Sequence, residues 1–494
     1  MCPTLSARIY QPMSAADNAD RLRREILIRI AKAFLSGDFP QAVDRIPFDM
    51  YPKSASTYHC CIYKDRAITR SNCLAAMGIL LEEEDDESLP LSHYAEQVMN
   101  REGPSAPIMT VCDIACRGCV PARFFVTNAC QSCVARHCAG SCKFGAIYFE
   151  NGKAQIDAAK CKNCGRCRDM CPYRAITQLT VPCESNCPVQ AIQKNDEGLA
   201  EIDFEKCTSC GRCMRSCPFG AVMERSQIID VLRHLDSGRK VVAIAAPAIV
   251  GQFPGTIGQI FSAIRATGFA DAMEVALGAD KTAELEAKEF VERMERGDTF
   301  MTTSCCPAYV ATAHRHAPEI LKHISDTRTP MHYAAEMAKE KHPDALVVFV
   351  GPCVAKRYEG IKDPFVDYVL TFEELGALFV AKKVEVASCD TEFADAPASN
   401  EARGFAVTGG VADAVLAKAG PDAGIRPVCI NGLSPKGIHQ LKIFARGKCP
   451  GNLVEVMTCE GGCIGGAGVL SDRDRAARSV TRFIGKEPSP IKPV

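Results

Sequence analysis

The chain has 494 residues, 47% hydrophobic and 24% charged, ordinary for a globular protein and too long for a single core. Its 58 basic and 59 acidic residues leave a net charge of −1, which shows no preference for nucleic acid or a membrane surface. The outlier is the count of 29 cysteines, 21 of them before residue 218.

In chain order, Met1-Cys2-Pro3-Thr4 opens without a basic n-region, an apolar h-region or a twin arginine, and no later apolar run approaches the roughly 20 residues of a spanning helix. A cytoplasmic location is expected. In that reducing compartment so many thiols read as metal ligands rather than disulfides. Arg21 to Phe34 reads as an amphipathic helix, and Pro40 to Pro52 as a loop with a proline at each end. Cys60 and Cys61 are adjacent, with Cys73 further on; the spacing leaves open a structural role or an extra metal site. Glu82 to Glu87 is an acidic run of the kind found at solvated helix ends and linkers. A boundary is expected near residue 105, which makes 1–105 an N-terminal region of uncertain role.

Residues 106–225 are dense in cysteine and internally repeated. Cys130-x2-Cys133-x4-Cys138-x3-Cys142 precedes Cys161-x2-Cys164-x2-Cys167-x3-Cys171-Pro172. Bacterial ferredoxins use this arrangement, in which three cysteines of a run hold one cube and the fourth reaches the other. The rule predicts one 4Fe–4S cluster on Cys130, Cys133, Cys138 and Cys171, and a second on Cys161, Cys164, Cys167 and Cys142. Zinc is the alternative, but structural zinc sites usually separate two cysteine pairs by a longer loop. The pattern then repeats less completely, and Cys207, Cys210, Cys213 and Cys187 would complete a third cluster. Cys183 and Cys217 are left over, with Cys112, Cys116 and Cys119 unassigned upstream. A fourth cluster could draw on these, but spacing does not give its ligand set.

Residues 226–494 alternate between strand and helix patterns, as in an α/β domain. Strands are expected at Val241 to Ala246, Thr299 to Thr303, Leu346 to Val350 and Leu453 to Thr458. Helices are expected at Thr282 to Glu295 and Glu373 to Ala381, and a surface loop at Asp395 to Ala402. Cys389, Cys429 and Cys449 lack partners at ligand spacing and read as ordinary thiols. No G-x-x-x-x-G-K-[ST] loop or strand–GxGxxG–helix unit supports a nucleotide site. Three cysteine segments instead follow apolar runs: Thr303-Ser304-Cys305-Cys306-Pro307, Gly351-Pro352-Cys353-Val354-Ala355-Lys356, and Cys459-Glu460-Gly461-Gly462-Cys463. Open α/β sheets collect their ligand sites at such carboxyl ends of strands. Cys306, Cys353, Cys459 and Cys463 make four thiolates, enough for one cube, and leave Cys305 beside it. The glycines at 461, 462, 465, 466 and 468 read as a bed for close approach to a cofactor.

Together these segments resemble the signature of the iron-only (FeFe) hydrogenases, over about residues 106–490. The resemblance implies a ferredoxin-like α+β iron–sulfur region at 106–225 and an α/β catalytic domain at 226–494. It implies an H-cluster, a cube on Cys306, Cys353, Cys459 and Cys463 bridged through Cys463 to a di-iron unit with carbonyl and cyanide ligands. Cys305 would relay protons and Lys356 would hydrogen-bond a cyanide, although Lys356 could also be a surface lysine like its neighbour Arg357. Glu286, Glu289 and Arg293 share one helix face. That spacing also suits a solvated Glu289–Arg293 pair, whereas the resemblance makes Glu286 and Glu289 proton-path acids with Ser325 between them. Met457 matches the well-studied members. Tyr309, Gly351, Ala248 and Met331 depart from their tryptophan, methionine, serine and glutamine, and the variants TSCCPAY and CEGGC look like the group B enzymes.

The expected activity is interconversion of hydrogen with two protons and two electrons, with electrons exchanged with ferredoxin through three accessory clusters. Hydrogenase maturation proteins are the expected assembly partners. The alternatives are a hydrogen sensor and a non-catalytic protein like those of eukaryotic iron–sulfur assembly.

Overall fold

The computed structural model of the chain describes residues 18–84, 86–391 and 398–485. Residues 18–100 are mainly helical, with helices at Asn18–Leu35, Phe39–Met50, Ile62–Ala76 and Leu91–Asn100. The first contains the expected amphipathic segment. The second corrects the loop expected from Pro40 to Pro52. Pro40 lies in the first turn, where an N–H would have no helical partner, and the helix carries Pro47 inside it.

These helices share their core with the C-terminal half. Ile26, Ile30, Val43 and Leu74 join one apolar cluster with Val242, Ile244, Val347 and Phe379. The fully buried Glu373 adds an ionic tie, taking Arg23 at 2.9 Å and Arg24 at 2.7 Å. The position near residue 105 is therefore a change of chain path rather than of core. Cys73 belongs to this core, while Cys60 and Cys61 lie exposed with their sulfurs 3.9 Å apart.

In the cysteine-dense block, β1 (Met109–Val111) pairs antiparallel with β8 (Val222–Glu224), so its two ends meet. Inside it, β2 (Arg123–Val126) pairs in the same way with β5 (Ile176–Leu179). Each outer pair brackets one hairpin. β3 (Ile147–Glu150) and β4 (Lys153–Ile156) lie within the β2–β5 unit. β6 (Ile192–Lys194) and β7 (Ala200–Ile202) lie within the β1–β8 unit. The repeat is thus nested, one ferredoxin-like unit carried inside a connection of another.

The C-terminal half builds two parallel sheets. β9 (Val241–Ala245), β10 (Asp271–Glu274), β12 (Leu346–Gly351) and β13 (Tyr368–Thr371) run in the order β10-β9-β12-β13; β11 (Met301–Thr302), β14 (Pro427–Asn431) and β15 (Leu453–Met457) run β11-β15-β14. β9 and β12 are buried along their whole length, as their unbroken apolar runs require, and β15 is buried likewise although it carries Glu455. The strand expected at Thr299 to Thr303 shrinks to two residues, and β10, β13 and β14 were not anticipated. Helix Val275–Glu295 extends the one expected from Thr282, and Phe372–Ala381 starts on a Thr371–Glu374 capping box. Of the loop expected at Asp395 to Ala402, residues 395–397 lie outside the described residues. Asn400–Arg403 is instead a helical turn capped by Ser399.

Candidate active site

Cys305 and Cys306 follow β11, Cys353 follows β12 and Cys459 follows β15, so strand ends from both sheets converge. Burial drives the Cys459 thiol well above its ordinary range, and repulsion from Cys353, Cys306 and Cys463 adds to it. Burial raises Cys353 likewise, with Cys306 and Cys463 contributing. Burial, then Cys306, pushes Cys463 up to about 12. Four half-buried thiols that repel one another as anions form a site that becomes favourable when a metal centre takes them as thiolates. Among the described residues no three His, Cys, Asp or Glu side chains converge tightly enough for one metal ion. A cube, which holds its thiolates apart at separate corners, fits this donor set better than a single zinc.

Two of the glycines are required by the chain's own packing. A Cβ at Gly462 would lie 2.7 Å from the Thr408 nitrogen, and one at Gly466 would lie 2.5 Å from the Pro352 carbonyl oxygen. They let the CEGGC loop press against neighbouring backbone, and that chain-on-chain contact sets the positions of Cys459 and Cys463.

Cys305 also sits in a buried setting. Burial raises its thiol well above the ordinary range, and Glu286 is the largest of the charges that add to this. Glu286 is fully buried, accepts the Ser304 N–H at 3.1 Å, and leaves Oε2 without a protein partner. Burial pushes its carboxyl up to about 7. Beyond it, the Ser325 hydroxyl donates to Glu289 at 2.6 Å, and Thr327 donates to the same oxygen at 2.9 Å. Burial opposes ionisation of Glu289, but bonds from Ser325, Asp326 and Thr327 outweigh it and hold the group below its usual range. Arg293 bridges Glu289 at 2.6 Å and Asp326 at 3.1 Å, and the Asp326 side chain is 95% exposed. The Glu289–Arg293 pair is real but mostly buried, and it joins Ser325 and Thr327 to the exposed Asp326. Ser304 and Thr327 were not singled out from sequence; only the place of Ser304 inside the cysteine motif hinted at it.

Lys356 is buried and donates to Glu359 at 2.7 Å and Thr329 at 3.1 Å. Burial disfavours its charge, but Glu359 and then Cys353 and Cys305 hold its pKa above the ordinary value. Arg357, expected at the surface, is fully buried between Glu374 at 2.6 Å and Glu224 at 3.3 Å. Around the site Tyr309 is fully buried and shares a 2.8 Å hydrogen bond with Thr302, while Met331, Ala248 and Met457 are also buried.

Several of the accessory cysteines lie within electrostatic reach of one another. Burial, with Cys171 and Cys133, raises Cys138, and burial, with Cys161 and Cys142, raises Cys167. Burial, with Cys210 and Cys187, pushes Cys207 up to about 11. Cys213 is raised by burial and by Cys210, Cys207 and Cys187. Cys210 is also among the charges acting on Cys459, so the third set adjoins the catalytic set.

The C-terminal domain of the iron-only hydrogenase large subunit matches residues 239–467, a 4Fe–4S binding domain matches 154–177, and an LdpA Fe–S cluster-binding domain matches 177–228. The chain is 30% identical to the large subunit of the periplasmic Fe hydrogenase of Nitratidesulfovibrio vulgaris, over 64% of this chain and 85% of that protein. It belongs to the iron-only hydrogenase family. It is also 30% identical to iron hydrogenase 1 of Clostridium pasteurianum, over 63% of this chain but only 64% of that longer protein. A second branch is similar as well: cytosolic iron–sulfur assembly component 3 of Pongo abelii is 26% identical over 40% of this chain and 53% of its own length. Among solved structures, an FeFe-hydrogenase from Chlamydomonas reinhardtii superposes with a TM-score of 0.44 at 21% identity, over 54% of this chain and 91% of that one. No helix among the described residues is long and apolar enough to cross a membrane.

Proposed function

We propose that this chain is an FeFe hydrogenase that interconverts hydrogen with two protons and two electrons. The observation that carries the reading is Cys305: a half-buried thiol beside the four-cysteine set, within electrostatic reach of Glu286, with Ser325, Glu289 and Arg293 leading on toward the exposed Asp326. An electron-transfer cube needs its four thiolates and no fifth thiol coupled to buried carboxyls. Cys306, Cys353, Cys459 and Cys463 would hold the cube of the H-cluster. When bound, that cofactor supplies the redox-active iron at which protons and electrons combine.

The chain's own groups manage the proton. Cys305 Sγ would hold it next to the cofactor and exchange it with Glu286. A carboxyl near 7 accepts and releases a proton with little penalty at neutral pH. Ser325, held by Glu289, carries the line onward, and Arg293 with Asp326 opens it to water. Lys356 Nζ would donate to an anionic ligand of the di-iron unit, a role its buried, charged state suits. Maturation proteins would supply that unit.

Electrons would enter through the inner ferredoxin unit. Residues 120–181 carry nine Lys and Arg against three Asp and Glu, while the rest of the chain carries 49 against 56 and is net acidic. Val134, Phe144, Tyr148, Met170 and Tyr173 are exposed on the same unit, and Cys164 is exposed. That basic, apolar-studded surface suits an acidic carrier such as a ferredoxin. The thiol content suits the reducing cytoplasm.

The similarity to an iron–sulfur assembly protein supports a second reading, a non-catalytic carrier with a bare cube. An infrared spectrum of protein produced with the hydrogenase maturation proteins separates the two. Carbonyl and cyanide bands support the hydrogenase. A protein fully loaded with cubes but lacking those bands supports the carrier.

A further inference from the structure

The nested ferredoxin units correspond element by element. In the inner unit Cys130 and Cys133 follow β2, Cys138 and Cys142 precede the β3–β4 hairpin, and the next four cysteines precede β5. In the outer unit Cys116 and Cys119 follow β1, Cys183 and Cys187 precede the β6–β7 hairpin, and Cys207, Cys210, Cys213 and Cys217 precede β8. Cys116, Cys119, Cys183 and Cys217 therefore stand where Cys130, Cys133, Cys138 and Cys171 stand in the inner unit. The inner unit is inserted between the second and third of them, and that is why the run is invisible as a linear motif.

Local geometry supports the match. Four cysteines each accept an N–H from an alanine four residues on: Cys142 from Ala146 at 3.4 Å, Cys171 from Ala175 at 3.4 Å, Cys187 from Ala191 at 3.2 Å and Cys217 from Ala221 at 3.4 Å. The residue before each alanine, Gly145, Arg174, Gln190 or Gly220, has positive φ. The cysteine that crosses from one run to the other is thus built the same way four times, once per cluster. The Cys112 N–H bonds the Ala221 carbonyl at 2.7 Å, which holds the Cys116 turn beside Cys217. The side chains meet as well: burial, then Cys217 and Cys116, pushes the Cys183 thiol up to about 12, and both also act on Cys119. Cys112 is buried, and its side-chain partner is Ser71.

We infer that Cys116, Cys119, Cys183 and Cys217 hold a fourth accessory 4Fe–4S cluster, assembled across the inserted ferredoxin unit and placed between it and the cluster nearest the catalytic set. Its surroundings differ from the other three. Lys194 Nζ lies 3.1 Å from Cys116 Sγ and is anchored on the carbonyls of Gly198, Cys116 and Cys119 at 2.7, 3.2 and 3.3 Å. The Ala200 N–H donates to the same sulfur at 3.2 Å. A cation and an amide on one ligand sulfur stabilise the reduced, more negative cluster, so this site has the higher reduction potential that such hydrogen bonding confers.

The inference rests on ferredoxin-type cluster binding and not on hydrogen chemistry, so the test uses the full chain produced without maturation proteins. Anaerobically reconstituted protein should contain about 20 iron atoms, four per cube for five cubes, and no zinc. A value near 16, or zinc in place of iron, would overturn the fourth site. Cys183→Ala should lose about four iron atoms, whereas Cys112→Ala should lose none. Equal loss from the two, or full iron in Cys183→Ala, would contradict the ligand set. Lys194→Gln should keep all iron and move one step of an electron-paramagnetic-resonance redox titration to lower potential. Unchanged steps would remove the role given to Lys194.

Discussion

Glu286 Oε1 accepts the backbone N–H of Ser304 at 3.1 Å, one residue before Cys305. That bond fixes a fully buried carboxyl at the base of the loop carrying both Cys305 and the proposed ligand Cys306. In the proposed function it is the point where proton handling and cofactor binding touch, and substitution can separate the two.

Glu286→Gln keeps the size and the acceptor but cannot pass a proton. Hydrogen evolution should fall by about 10²–10⁴-fold with iron content unchanged. The folded-state pKa of about 7 lies above the ordinary 4.5, so the folded chain prefers Glu286 protonated. Its stabilising contribution is present below about 4.5 and is lost as pH rises through 7. The variant should therefore show a flatter decline of melting temperature between those values. An unchanged decline, or unchanged turnover, would contradict the assignment.

Lys356→Ala should retain the accessory clusters and lose the carbonyl and cyanide bands, because an anionic ligand and Glu359 would both lose a buried charged donor. Lys356→Arg should not restore them, since a planar guanidinium does not replace a point ammonium in a closed site. Full bands in Lys356→Ala would remove the lysine from the cofactor pocket.

The nearest shell of the site was legible in the chain because each cysteine group follows a short apolar run. β12 and β15 lie where Leu346 to Val350 and Leu453 to Thr458 suggested. The strands missed, such as β10, are four or five residues long, and Asp271 and Glu274 at the ends of β10 hide its burial. Pro40 and Pro52 suggested a loop, but Phe39, Val43 and Ile46 bury one face of a helix, and that packing outweighs the penalty of Pro47 inside it. The fourth cysteine set was unreadable for a topological reason: Cys119 and Cys183 are neighbours only after residues 120–181 fold as a unit of their own.

The N-terminal helix is held by Glu373, whose carboxyl is kept down at about 2: burial opposes its charge, but Arg23 and Arg24 outweigh it. Glu373→Ala leaves two arginines without their buried partner, a loss of about 3–5 kcal/mol in comparable cases. Limited proteolysis should then release the 18–50 segment faster from the variant. Because the folded pKa is depressed, the wild-type contribution is present above about pH 4.5 and is lost as pH falls toward 2. Equal cleavage rates at neutral pH would show that the apolar core alone holds the helix.

Electron delivery by an acidic ferredoxin should slow steeply with added salt, because screening shortens to about 8 Å at physiological ionic strength. A Lys162→Glu, Arg166→Glu double variant should show the same slowing at low salt, with turnover from a small viologen donor unchanged. A carrier rate indifferent to both would place the entry point elsewhere.

The most direct test of the account is hydrogen evolution per fully matured molecule, compared between the wild type and Cys305→Ala at matched iron content. The account predicts hydrogen from the wild type and a loss of about 10²–10⁴-fold in Cys305→Ala with all iron retained, since Cys306 still ligates the cube. Cys306→Ala should instead lose iron. No hydrogen from a fully matured wild type, or full turnover in Cys305→Ala, would contradict it.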